Sequence, residues 1–182
     1  MRVALDPQPG PMPNLAEAYA PELLGAAGAF SVATYKHSIL PIRPFEAARI
    51  AIAAINGCTV CQSFRTAGHS FLLGIGPDEG VRGPAPDEAF YASILEGDTS
   101  NLDSREQLAV EFARAMSLDP QGLADDEEIW SRLKAAFSDE EIVDLTYCCA
   151  GWIGFGRATH ILGVDRACAL PAATPAAAVA TT

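Results

Sequence analysis

The chain has 182 residues, 49% of them apolar and 8% aromatic, enough for one domain with a substantial core. Acidic residues number 23 against 12 basic ones, for a net charge of −11. That balance argues against nucleic acid and anionic membrane as partners, since both need clustered Lys or Arg, and it keeps the protein soluble.

Residues 1–13 are Pro-rich and expected to be extended, and Asn14 can cap a short first helix. Residues 1–20 hold Asp6 and Glu17 rather than a basic start and an apolar stretch, so no secretory leader is expected. Pro21 suits the first turn of a second helix running to about Lys36. A loop at 40–43 leads to a third helix, about 44–56, in which only Glu46 and Arg49 are charged; a helix apolar nearly all round belongs in a core. Asn56-Gly57 stops it. Cys58 opens a fourth helix that is expected to continue to about Leu73, where Gly74-Ile75-Gly76-Pro77 ends it.

Residues 75–86 are rich in Gly and Pro and read as an irregular connection. A helix near 87–96 follows, then one capped at Asp103-Ser104, then one opened by the acidic run Asp125 to Glu128. Ser138 with Glu141 three residues on is a capping box for a last long helix, about 139–162. The Ala/Pro/Thr tail is expected to be disordered. No stretch shows strand alternation, and the apolar runs stop well short of a membrane span. The expected organisation is an extended segment (1–13), one all-α domain (14–168) and a tail (169–182).

Five cysteines stand at 58, 61, 148, 149 and 168. In the reducing, cytoplasmic setting expected here, Cys58-Thr59-Val60-Cys61 is more naturally catalytic or metal-binding than a structural staple. Two thiols three residues apart on the first turn of a helix can close into a disulfide and reopen, and the positive helix end favours the thiolate. On a continuous fourth helix, Cys58, Cys61, Arg65 and His69 share one face. If the helix doubles back along the third at Asn56-Gly57, Glu46 reaches the level of residues 66–68. Attack of a thiolate on a peroxide gives a sulfenic acid, which a neighbouring thiol condenses to a disulfide. Arg65 favours the thiolate but cannot carry protons; His69 or Glu46 could.

Each element also has a plainer reading. The cysteine pair could be packing thiols or half of a zinc site, although no second Cys-x-x-Cys exists to complete one. Glu46 could pair structurally with Arg49 or Arg65, and His69 could be an ordinary interface histidine. Cys148 and Cys149 read as core thiols and Cys168 as incidental. His37 and His160 carry no motif. Trp152, Phe155 and Arg157 could line a pocket, or the aromatics could simply pack.

The string Glu46-Ala-Ala-Arg-Ile-Ala-Ile-Ala-Ala-Ile-Asn-Gly-Cys58-Thr-Val-Cys61 resembles the carboxymuconolactone decarboxylase-like family, and more closely its alkylhydroperoxidase D branch, which has the thiol pair. Pro21-Glu22-Leu23-Leu24 and the helix ending Ile161-Leu162-Gly163-Val164 also look like the family, so the resemblance spans about 20–165. It implies an all-α, alkylhydroperoxidase D-like helical bundle with a central antiparallel helix pair, assembled into homo-oligomers. It implies a peroxiredoxin-type antioxidant oxidoreductase that needs no cofactor and reduces small organic hydroperoxides at the expense of a dithiol or protein reductant. Cys61 would attack the peroxide, Cys58 would resolve, and Glu46 would belong to a proton relay. The family has a relay His where this chain has Arg65; His69 stands one turn further along. The alternatives are a member without peroxidase turnover (a disulfide reductase, or a decarboxylase-like enzyme on a small lactone acid) and a helical redox-sensing or binding oligomer.

Overall fold

The computed structural model describes residues 2–4, 15–76 and 78–173. The Asn14 cap, most of the expected extended segment and the tail from residue 174 lie outside that range; residues 169–173 carry no helix. Among the described residues every regular element is helical. α1 (Leu15–Ala18) and α2 (Pro21–His37) lead into α3 (Ile42–Asn56). After α3 come α4 (Thr59–Ser63), α5 (Thr66–His69) and a 3-10 turn (Ser70–Leu73). α6 (Glu88–Glu96), α7 (Ser104–Leu118), α8 (Pro120–Asp125), α9 (Glu127–Ala136) and α10 (Asp139–Leu162) follow, with a second 3-10 turn at Asp165–Ala167. Among the described residues no helix is long and apolar enough to cross a membrane.

α3 is the core helix its composition announces. Phe45, Ala47, Ala48, Ile50, Ala51 and Ile52 are buried, and each fully covered large side chain contributes roughly 1.5–3 kcal/mol. It starts at Ile42, two residues before Pro44, because the Ile42 amide finds an acceptor in the Arg82 carbonyl at 2.8 Å; the Gly- and Pro-rich connection thereby pins the helix entrance. α7 lies alongside and parallel. Arg43 pairs with Glu106 near both starts, and Arg157 joins Asn56 to the Ser117 carbonyl at both ends. α10 packs on α3 through Trp152, whose ring meets Phe45 edge-on at 4.7 Å. α2 runs antiparallel to α10, with Cys148 at the Thr34 carbonyl and Phe30 against Phe155.

The capping boxes at Asp103 and Ser138 both form. The acidic run near 125 opens α9 as expected, and a further short helix precedes it. Asp119 caps the short α8, with Pro120 in its first turn, and Asp126 then caps α9.

The chain turns at Gly57 (φ +67°) and runs back antiparallel along α3. Gln62 reaches the Ala53 carbonyl, and Thr66 donates its hydroxyl to Glu46, at the level expected. The continuous fourth helix, however, does not exist: it breaks at Phe64 and Arg65, both in extended conformation. The cause is Arg49. In an unbroken helix the Cys61 carbonyl would accept from the Arg65 amide. Instead the buried Arg49 guanidinium takes the Cys61 carbonyl at 2.8 Å and the Phe64 carbonyl at 2.6 Å. The released Arg65 amide donates to His69 Nδ1 at 2.9 Å.

Candidate functional site

Cys58 stands just before α4 and acts as its cap, its Sγ accepting from the Cys61 amide at 3.3 Å. The two sulfurs are joined as a disulfide with a Cα–Cα distance of 5.2 Å, within the ordinary range for such bridges. The partners differ in access. Cys58 is fully buried, while Cys61 is partly exposed and lines a cavity of about 360 Å³. An incoming reagent therefore meets Cys61 first.

That cavity is mainly apolar. Tyr35, Phe64, Trp152 and Phe155 supply its aromatic wall, and Ile52 and Leu170 add aliphatic surface. Tyr35 meets the Phe64 ring edge-on at 5.5 Å. Polar groups are few. Burial pushes the Tyr35 phenol up to about 12, with Arg49 pulling the other way, so it stays a neutral donor. Trp152 Nε1 is buried without a hydrogen-bond partner among the described residues. Arg49 also faces the cavity, already tied to Glu46.

Glu46 and Arg49 form a buried bidentate pair one turn apart on α3, with contacts of 2.7 and 2.8 Å. Burial works against the Arg49 charge, but Glu46 more than offsets it and holds the guanidinium protonated. Four of the five Arg49 N–H groups are engaged, two by Glu46 and two by the carbonyls at the α4 break. Glu46 thus acts on the cysteine segment through Arg49 and does not itself line the cavity.

The expected single stripe of Cys58, Cys61, Arg65 and His69 is corrected by the break. Arg65 turns away from the disulfide. Its guanidinium lies over the Tyr91 ring at 3.9 Å, pairs with Glu88 at 2.9 Å and donates to the Gln62 and Phe64 carbonyls. His69 is buried. Its Nδ1 accepts from the Arg65 amide and its Nε2 meets the Pro171 carbonyl at 3.0 Å, so both ring nitrogens hold backbone. Neither residue lines the cavity.

The structure brings in groups that the sequence reading passed over. Asp165, after α10, accepts from the Thr59 amide at 3.1 Å and from His160 Nδ1 at 3.0 Å. Burial alone would raise the Asp165 carboxyl, but the bonds from His160 and Thr59 hold it below the usual carboxylate range. Cys148 and Cys149 are core thiols, pushed up by burial. Cys168, expected to be incidental, lines the same cavity as Cys61; burial and then Asp165 push its thiol up. Of the α10 candidates, Trp152 and Phe155 line the cavity, and Arg157 instead braces Asn56 and Ser117.

No protein-family model matches the chain, and no curated protein matches it significantly. Among solved structures, one from Agrobacterium tumefaciens aligns with a TM-score of 0.66 at 21% identity, covering 89% of this chain and all of the other. That protein is described as of unknown function and assigned provisionally as the antioxidant defence protein AhpD. The likeness shows the fold, an all-α AhpD-like bundle.

Proposed function

We propose that this protein is a thiol-dependent oxidoreductase of the alkylhydroperoxidase D type, reducing small organic hydroperoxides through Cys58 and Cys61. The observation that carries the reading is the placement of Cys61, one sulfur of a closable pair, in the wall of an apolar cavity. The antioxidant description of the Agrobacterium protein of like fold supports it.

In the reduced state the Cys61 thiolate attacks the terminal peroxide oxygen. The O–O bond breaks, the alkoxide takes up a proton to leave as the alcohol, and Cys61 becomes a sulfenic acid. Cys58 then attacks Cys61, and the oxygen leaves as water as the disulfide closes. An external dithiol or protein reductant reopens the bridge. Two carbonyls bonded to Arg49 fix the backbone at and after Cys61, and Glu46 keeps Arg49 in place, so this pair has a positioning role. The apolar wall favours an alkyl or aryl hydroperoxide over hydrogen peroxide. Exposed Leu23, Leu118 and Ile161 suit assembly into a homo-oligomer.

The test is turnover of cumene hydroperoxide with dithiothreitol, expected in the intact protein and lost in Cys61→Ser. A second reading rests on Arg65, which occupies the place of the family's relay His and points at Glu88. On that reading the pair cycles reversibly as a redox sensor with no turnover, and a disulfide that forms once per chain without catalysis would favour it.

A further inference from the structure

The segment that carries the dithiol is gripped at its entrance by a pair that the proposed cycle does not use. His160 is at the end of α10, and Asp165 follows the left-handed turn at Gly163. The turn folds the carboxylate back onto the imidazole, with Asp165 Oδ2 3.0 Å from His160 Nδ1. The pair brackets Cys58. On one side Asp165 Oδ2 accepts the Thr59 amide at 3.1 Å and the Thr59 hydroxyl at 3.3 Å. On the other, a Cβ at Gly57 would lie 3.3 Å from His160 Nε2, so the ring rests on the residue before Cys58.

Two features mark this as more than a helix cap. Asp165 is 2% exposed, yet its second oxygen, Oδ1, has no hydrogen-bond partner among the described residues. His160 Nε2 has no hydrogen-bond partner either among the described residues, on a side chain that is 34% exposed and so open to proton exchange with solvent. An ionised Asp165 can only accept, which places a hydrogen on His160 Nδ1 and leaves Nε2 as the atom that gains or loses a proton. Nε2 lies within about 9 Å of the Cys58 Cα, given 3.8 Å between successive Cα atoms.

We infer that the His160–Asp165 pair is the proton partner of the Cys58 sulfur in the reduced protein, His160 exchanging the proton through an intervening water and Asp165 positioning it. The inference deepens the proposed dithiol cycle and rests on it. When Cys58 resolves the Cys61 sulfenic acid, its S–H proton passes to His160 Nε2 while the new S–S bond expels hydroxide from Cys61. The imidazolium returns the proton and water leaves. In reduction, an external thiolate attacks the accessible Cys61 sulfur, the S–S electron pair goes to Cys58, and His160 protonates the leaving thiolate.

The titratable and charged groups on the surrounding elements are Cys58 and Cys61 at α4, Cys168 after the 3-10 turn, and exposed Arg2, Arg157 and Arg166. The adjoining end of α3 offers the neutral Asn56 and Gly57.

The test isolates Cys58 in a Cys61→Ser background and follows thiolate ultraviolet absorbance against pH, with the Cys58→Ser/Cys61→Ser double variant subtracted. His160→Gln added to that background is expected to move the Cys58 midpoint up by about one pH unit, a tenfold loss of thiolate at neutral pH. Asp165→Asn is expected to move it the same way by less. Superimposed curves for the His160 variant overturn the proposal. Should that variant fail to fold, the His160 ring resonances of the unmutated protein are titrated by NMR in both redox states. A higher midpoint in the reduced protein, where a neighbouring thiolate favours imidazolium, supports the proposal, and equal midpoints overturn it. Hydroperoxide turnover is scored separately. A protein that turns over no hydroperoxide while the Cys58 midpoint still moves loses the cycle and keeps the proton pair.

Discussion

The two ends of the Cys58–Cys61 segment are held by charged side chains in opposite ways. At the exit, Arg49 and Glu46 are 2% and 0% exposed, and the guanidinium is bonded almost to capacity. At the entrance, Asp165 is equally buried, but its Oδ1 has no partner among the described residues and its partner His160 is one-third exposed. Both devices satisfy backbone groups that a helix of five residues cannot satisfy for itself. A saturated pair can only fix geometry. A pair with an unpartnered acceptor and an open ring nitrogen can also move a proton.

The strongest way to break the contrast is at the saturated end. Glu46→Gln leaves a buried guanidinium without its counter-charge and is expected to cost about 3–5 kcal/mol in chemical denaturation. Arg49→Met strands Glu46 and is expected to cost a similar amount. At the open end the effects are smaller. Gly57→Ala forces a side chain into a left-handed turn and against His160, for a loss of about 1–2 kcal/mol.

Asp165→Asn is expected to cost about 1 kcal/mol at neutral pH. Because the folded carboxyl lies below its unfolded value, this contribution is present above about pH 4 and is lost as the pH falls through the folded value. The stability gap between Asp165→Asn and the parent should therefore close on acidification, as measured by thermal melts across pH. A gap that stays open at pH values below the folded carboxyl's midpoint would mean that Asp165 is not held ionised. The smallest effect belongs to Glu88→Gln. The Glu88 side chain is 77% exposed, so its ion pair with Arg65 contributes about 0–1 kcal/mol, and hydroperoxide turnover should be little changed.

Local signals made most of the fold legible. Pro21, the Asp103 and Ser138 caps, and the nearly uncharged run of α3 each act within a few residues, and the helices stand where they point. The antiparallel return and the level of Glu46 followed from the Gly57 break and helix rise alone. The interruption at Phe64 and Arg65 did not. It depends on Arg49, 12 and 15 residues away from the carbonyls it takes, and nothing in the 58–73 string announces it. That one break separates Arg65 and His69 from the face of the cysteines. The Asp119-Pro120 signal for α8 was present and unused. His160 and Asp165 carry no recognisable spacing, because they meet only across the turn at Gly163 and meet the dithiol only when α10 packs at the end of α3.

The dithiol itself is the centre of the account, and one mass measurement addresses it. Reduced protein is mixed with one equivalent of cumene hydroperoxide, quenched with an alkylating reagent and digested. A Cys58–Cys61 disulfide is expected to form in step with cumyl alcohol, while Cys148 and Cys149 are recovered as thiols. Cys61 recovered alkylated, with the hydroperoxide intact, would contradict it.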